Sequence, residues 1–430
     1  MQPSSNYDAI VVGGGISGII FLAYAKKAGL KVLLLEKEPE LGGLWRKLPA
    51  WQDIQTRKED FSINGLPIHG ITQPEILENI LSWVNYYQLA SFIRCGQAVS
   101  QVEWKQDHWQ LTTAQETFQA RYLVVATGMH NEPFIPTLKR EQVTLQEYHS
   151  SALLDPESLA GKKITVLGGG PSAFDLLELG LREKAEEIRW VYRSLRWFSP
   201  SSKPKDHKPI LRNLAFQLMM TDSIDLMSQH TQKLLDAKYQ FFGLEAIKPD
   251  KPFNWRHDQL VPGRPLMCQN LDRIQRHQGE IRLIRDRTIH LNEEAFETDV
   301  LLYATGYRLN LKWMGLAQYA ELTDKKTLMP RCGGLLLSHD YPNLFFCGQT
   351  LLDTNSSAGF YMATIAKSLV AHIQGKIQLS KTPITENVNH WDLIKLLAQH
   401  DTKNYPPWWR LKYKTLAWFY RKFPDRQLRI

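Results

Sequence analysis

The sequence predicts an α/β fold of two parallel-sheet units, the second inserted into the first, and three observations predict it. A short apolar strand, Ala9-Ile10-Val11-Val12, runs into a glycine-rich turn and an apolar helix. The same order recurs from Lys163 onward. Two further apolar strands each end in Ala-Thr-Gly, at Ala126-Thr127-Gly128 and Ala304-Thr305-Gly306. Strands alternating with single helices form parallel sheets through crossover connections. A glycine turn between strand and helix is the mark of a Rossmann-like dinucleotide-binding unit.

In the first turn, Gly13-Gly14-Gly15-Ile16-Ser17-Gly18, each of three glycines has a physical task. Gly13 permits the tight turn, Gly15 lets backbone approach a pyrophosphate, and Gly18 lets the helix pack close to the strand. The helix expected from Ile16 to Lys27 points its amides and positive dipole end at the phosphates. Gly29 ends it, and Lys31 to Leu35 is the next strand, closing on Glu36. A carboxylate about 20 residues past the glycines suits hydrogen bonds to an adenosine ribose.

Pro74 to Gln88 carries apolar residues at helical spacing, and Val99 to Ala120 alternates as a hairpin or meander leading into the strand before Thr127. The second unit opens at Gly161. Lys163 to Leu167 is its first strand, and Gly168-Gly169-Gly170-Pro171-Ser172-Ala173 repeats the phosphate turn with Ala in the third place. Ile188 to Tyr192 is the next strand, and Arg193 follows where the first unit has Glu36. A guanidinium there suits a 2′-phosphate, so the second site is expected to take NADPH and the first FAD. Arg196 and Lys203 are possible helpers; a surface cation at a strand end is the plainer reading of each.

Phe198 to Arg264, rich in Pro, Lys, Met and aromatics, is expected as an insertion resembling a lid, with a helical stretch near Leu211 to Met220. The Met219-Met220 and Phe241-Phe242 pairs are read as core. Leu344 to Gly348 is the last core strand and turn, and a helix from Ala358 to His372 follows. The expected division is therefore residues 1–155 and 299–378 for the FAD domain, 156–298 for the NADPH domain with its insertion at 198–264, and 379–430 as a C-terminal extension.

Composition excludes several classes. The chain has 430 residues, 43% hydrophobic and 22% charged, an ordinary balance for a globular protein. Its four cysteines form no CxxC pair, against a zinc ribbon or dithiol centre and for a reducing, cytoplasmic setting. No secretory signal is expected at the N-terminus and no run spans a bilayer. Of the net charge of +8, Tyr405 to Ile430 carries +6 (seven Lys or Arg, one Asp). A nucleic-acid-binding fold would spread its basic residues over a face of the domain, so nucleic acid is not expected as a partner. In this tail Trp409, Tyr413, Leu416, Tyr420 and Phe423 recur at helical spacing with basic residues opposite. That arrangement suits a peripheral membrane helix, or packing on the body or on a partner subunit of a homodimer.

With these residues in view, the chain resembles the flavin-containing monooxygenases, the class B flavoprotein monooxygenases. Gly42-Gly43-Leu44-Trp45 looks like the family's GGxW, which lies along the flavin. Gln55-Thr56-Arg57-Lys58-Glu59 resembles its NxxKE segment, with Gln55 where an asparagine stands beside the reactive flavin edge and Lys58 retained. Thr127 and Gly128 with Pro133 and Pro136 match its ATG and PxxP, and Thr305, Gly306 and Tyr307 its ATGY. Of the fingerprint FxGxxxHSxxY only His149-Ser150 remains; the loss of its Gly and aromatics disfavours the ketone-oxygenating subgroup. The resemblance, over about residues 7–375, implies that NADPH reduces FAD, that O₂ adds at flavin C4a, and that the hydroperoxide passes an oxygen to a nucleophilic N or S of a small molecule. It implies roles for Gln55 and Lys58 in catalysis and for Gly348 at the cofactor. Asp353, Thr354, Asn355 and Ser356 either face flavin or substrate or cap the helix after them. Two other readings stay open: a flavin-dependent NADPH reductase without a lasting peroxide, and a redox-sensing protein that only binds FAD and NADPH.

Overall fold

The computed structural model describes residues 7–53, 69–130, 132–200, 224–254, 258, 260–333, 336–349, 358–379 and 381. Gln55, Lys58, the stretch around Leu211 to Met220, Asp353 to Ser356 and the 405–430 tail lie outside them. The chain divides into two compact units. The first takes described residues of 1–47, 56–132 and 308–415, and the second those of 48–55 and 133–307.

The first unit is built on a nine-stranded sheet. Its path runs Cys332–Gly333, Leu337–Ser338, Leu344–Phe346, Thr117–Val125, Tyr7–Val12, Val32–Leu35, Ile93–Arg94, with the Val99–Lys105 and His108–Thr113 strands joined to Thr117–Val125. Tyr7–Val12 lies between parallel neighbours, pairing Val12 with Leu35 on one side and Val125 on the other. Strands buried on both faces read as continuous apolar runs, as Ala9 to Val12 and Val32 to Leu35 do. The helix Ile16–Lys27 follows the glycine turn as expected, and Ala358–Ile373 packs beside it, where Ser17 Oγ meets Met362 Sδ at 3.0 Å. The helix Gln73–Tyr86 starts in a capping box formed by Thr72 and Glu75.

The second unit holds a five-stranded parallel sheet in the order Ile274–Gln278, Glu187–Tyr192, Lys163–Leu167, Val300–Tyr303, Gln146–His149. In both units successive strands leave the first strand in opposite directions, which makes a crevice at the strands' carboxyl ends, where doubly wound sheets bind ligands. Two readings of the insertion change. A helix, Ile224–Phe242, lies where none was expected, and its Leu235 and Tyr239 join Leu244, Ile247 and Phe253 in the core of this unit. Phe241 is not core: it is 82% exposed, while Phe242 packs against the cluster, because a helix buries only one stripe.

Candidate functional site

The first glycine turn sits where Tyr7–Val12 and Thr117–Val125 end side by side. Gly13 has φ +117°, and a Cβ built there would lie 2.6 Å from the Ala126 carbonyl oxygen. At Gly18 a Cβ would come within 2.0 Å of the Gly13 carbonyl oxygen. Both glycines are required by the packing of the protein itself. Gly15 is different: its φ is an ordinary −83°, and the nearest atom to an added Cβ is Gly43 Cα at 3.7 Å. A Cβ there would make only an ordinary contact, so packing does not require the glycine.

Gly43, in turn, has φ +55° and would set a Cβ 2.9 Å from Gly15 Cα, so the GGxW loop lies against the turn. The Gly42 amide donates to the Gly14 carbonyl at 3.0 Å, and the Trp45 carbonyl accepts from Gln73 Nε2. Glu36 is buried, 6% exposed, directly after its strand. Its Oε2 accepts the Gly14 amide at 2.5 Å and its Oε1 the Glu38 amide at 2.9 Å. A carboxylate with two acceptor positions per oxygen keeps capacity for hydroxyl donors.

Gly348 closes the same crevice. Its φ is +103°, and a Cβ would stand 2.6 Å from Ser17 Oγ. Gly128, at φ +77°, has open space around its Cβ direction. Gln349 is the residue that sequence reading missed. It is fully buried, its Nε2 reaches Thr127 Oγ1 at only 3.4 Å, and its Oε1 has no hydrogen-bond partner among the described residues. A buried acceptor left without a donor is costly. A polar residue just past a Gly at the carboxyl end of an inner strand was the available signal.

The second turn repeats the contrast. Gly168 has φ +142° and a Cβ there would strike the Ala304 carbonyl oxygen at 2.3 Å, whereas a Cβ at Gly170 would meet none of the described residues within 4 Å. Gly170 and Gly15 are N-caps without side-chain hydrogen bonds, and neither helix has an acid in its first turn. The first amides, Ser172 among them, lack intrahelical acceptors and suit an anion. Thr305 Oγ1 donates to the Phe134 carbonyl, and the Gly306 carbonyl accepts from the Phe134 amide at 2.8 Å and from His149 Nε2 at 2.9 Å. These residues fasten the turn beside Gly168.

Arg193 needs one correction of register. The Gly13 amide donates to the Leu35 carbonyl and the Gly168 amide to that of Val191, so Tyr192, not Arg193, stands at the station of Glu36. Arg193 is one residue further and 81% exposed, with a loose ion pair to Glu280 at 3.9 Å. The residues present therefore fit two dinucleotides: glycines at 15 and 170 that no clash requires, uncapped helix starts, a buried acid after the strand of one unit and an exposed guanidinium after that of the other.

Comparison with known proteins agrees with this geometry. Residues 10–245 match the family described as pyridine nucleotide-disulphide oxidoreductase. The uncharacterized oxidoreductase CzcO of Bacillus velezensis is 28% identical over 72% of this chain and 83% of its own length. Dimethylaniline monooxygenase [N-oxide-forming] 2 of Cavia porcellus is 25% identical over 71% of this chain and 62% of its own. Four further relatives are matched over 35% to 49% of their own length. A crystal structure of OTEMO in complex with FAD and NADP superposes with a TM-score of 0.68 at 18% identity, covering 94% of this chain and 99% of that one. The chain belongs to the pyridine nucleotide-disulphide oxidoreductase family, and within it is similar to the flavin-containing monooxygenases.

Proposed function

We propose that this protein is an FAD- and NADPH-dependent monooxygenase that inserts one oxygen atom of O₂ into a small molecule at a nucleophilic N or S. The observation that supports it most is the pair of glycine turns in which the fold itself has no need of Gly15 or Gly170. The first unit is assigned to FAD and the second to NADPH, so the expected bounds at 155 and 299 move: Gln146–His149 and Val300–Tyr303 belong with the second unit, whose sheet they join. Bound flavin supplies the hydride acceptor and the activation of O₂. The chain supplies the rest. Glu36 takes ribose hydroxyls, first-turn amides hold each pyrophosphate, and Gln349 Oε1 accepts from a hydroxyl of the FAD chain. Arg193 takes the NADPH 2′-phosphate. Gln55 and Lys58 are assigned to the flavin edge, where a carboxamide can both donate and accept. The 405–430 tail is assigned a peripheral contact with an anionic membrane.

Rapid mixing of the NADPH-reduced protein with O₂ tests the reading. A long-lived species spectrally distinct from oxidised and reduced flavin is expected. Immediate return to oxidised flavin with turnover of another acceptor would make the protein a reductase, and no reduction by NADPH would make it a binding protein. In the same experiment Gln55→Leu should leave reduction by NADPH intact and raise the hydrogen peroxide released per NADPH consumed. Unchanged release would take Gln55 out of the site.

A further inference from the structure

The two units build their ribose stations differently. In the first, an added Cβ at Gly14 would lie 3.1 Å from Glu36 Cβ. In the second, an added Cβ at Gly169 would lie 3.9 Å from Tyr192 Cβ, so a phenol takes the place of the acid. The glycine turn itself fixes that ring. Trp190 Nε1 donates to the Gly168 carbonyl at 2.7 Å, and the Trp190 and Tyr192 rings lie 4.5 Å apart. Phe174, from the helix Pro171–Arg182 that follows the turn, meets Trp190 in the same core with ring centres 5.6 Å apart.

The neighbouring strand, Ile274–Gln278, is the edge of this sheet. It runs parallel, with Arg276 opposite Trp190 and Gln278 opposite Tyr192. Paired residues share a face, and every second residue of a strand returns to it, so Arg276 stands on the face of Trp190 and Tyr192. It lies two residues of rise, about 7 Å, short of the Tyr192 level, a gap its side chain spans. Gln278 Nε2 reaches the Arg193 carbonyl at 3.3 Å, which brings the exposed Arg193 to the same edge. Glu280 is shared by Arg193 and Arg282, at 3.9 and 3.7 Å. Arg276 is exposed and makes no hydrogen bond or ion pair among the described residues, nor does the Tyr192 hydroxyl make a hydrogen bond among them. Burial pushes the Tyr192 pKa up, opposed by the positive charge of Arg276 nearby, so the phenol stays protonated and able to donate.

We propose that Tyr192 and Arg276 complete the 2′-phosphate site with Arg193 and thereby set the choice of NADPH over NADH. This rests on the assignment of the second unit to NADPH. A phosphate monoester brings a nearly double negative charge and three acceptor oxygens. Two guanidiniums and a protonated phenol answer it with charge and donors. The bare ribose diol of NADH needs an acceptor, which a guanidinium does not have. The station thus gives up the grip on a diol that Glu36 offers in the first unit and takes the phosphate instead.

The test measures the affinity of the full chain, loaded with FAD, for NADP⁺ and for NAD⁺ by titration calorimetry. Arg276→Gln, on an exposed edge, should leave the fold intact. It should weaken NADP⁺ about tenfold, the low end for a charge-assisted contact at an exposed side chain, and hold NAD⁺ within about twofold. Its NADP⁺ affinity should also fall less steeply as salt is raised. Tyr192→Phe keeps the packing on Trp190 and should weaken NADP⁺ about threefold, the scale of one hydrogen bond, with NAD⁺ unchanged. Tyr192→Glu should tighten NAD⁺ and cost NADP⁺ more than Arg276→Gln does. A variant, Arg276→Gln or Tyr192→Phe, that binds NADP⁺ like the parent, or loses both coenzymes equally, would remove its residue from the site. A parent that binds NADP⁺ while both variants match it would overturn the proposal and leave the NADPH assignment standing. A parent that binds no NADP⁺ would end both.

Discussion

An added Cβ would lie 2.0 Å from a carbonyl oxygen at Gly18 but 3.7 Å from the nearest atom at Gly15, three residues earlier. Alanine at the two positions should therefore fail in different ways. Gly18→Ala should lower the melting temperature of the apoprotein, with overpacking of this kind costing about 1–3 kcal/mol. Gly15→Ala should melt like the parent apoprotein and yet purify with little flavin, read as the ratio of absorbance at 450 and 280 nm. A yellow Gly15→Ala protein with full flavin would remove the pyrophosphate from this turn. Arg193 gives a second discriminating residue. Arg193→Ala should weaken NADPH about tenfold and leave NADH unchanged, the low end for a charge-assisted contact because the guanidinium is well exposed. Equal losses for both coenzymes would make Arg193 structural.

At the scale of elements, the strand Gln146–His149 carries the last trace of the FxGxxxHSxxY fingerprint, and its His149 is a bracket rather than a reagent. Nε2 donates to the Gly306 carbonyl, so the hydrogen lies on Nε2, and Nδ1 accepts from the Ser151 amide at 3.2 Å with Ser151 Oγ at 2.8 Å. Burial pushes its pKa below the usual 6.5, partly opposed by the Gly306 bond. The unfolded chain then binds a proton more readily than the folded one. This stabilisation is complete above about 6.5 and is lost as pH falls through the lower folded value. His149→Gln should flatten the fall of melting temperature between pH 7.5 and 5; parallel curves for parent and variant would deny His149 that part. The strands and glycine turns were legible because buried parallel strands are continuous apolar runs and glycine at positive φ has few substitutes. The station of Arg193 was not, since a one-residue register is set by the Leu167–Val191 pairing across the sheet and leaves no local sign. Nor was Ile224–Phe242, whose single buried stripe was masked by the polar and aromatic residues around it. Arg276 beside Tyr192 was out of reach for another reason: the two stand on different strands, and charge alone does not name a neighbour across a sheet.

For the molecule as a whole, charge is the property that its two units do not share evenly with the tail. Removing residues 405–430 takes away +6 of the net +8 and leaves a body of about +2. No helix among the described residues is long and apolar enough to cross a membrane. Trp409, Tyr413, Leu416, Tyr420 and Phe423 recur at spacings of four and three, while Arg410, Lys414 and Arg421 fall on other sides of a helix with that stripe. Rings at headgroup depth with cations above them are the pattern of an interfacial helix. Each basic residue near an acidic leaflet contributes about 1 kcal/mol, and salt screens that attraction within a Debye length of about 10 Å at 0.1 M. The full-length protein should therefore sediment with anionic vesicles at low salt, release as salt rises, and ignore neutral vesicles. A chain ending at residue 404 should stay in the supernatant with its flavin retained. Should that shorter chain instead lose flavin or precipitate, the stripe packs on the protein itself. Failure of the full-length chain to bind anionic vesicles at low salt would end the membrane reading, because the attraction is then at its strongest.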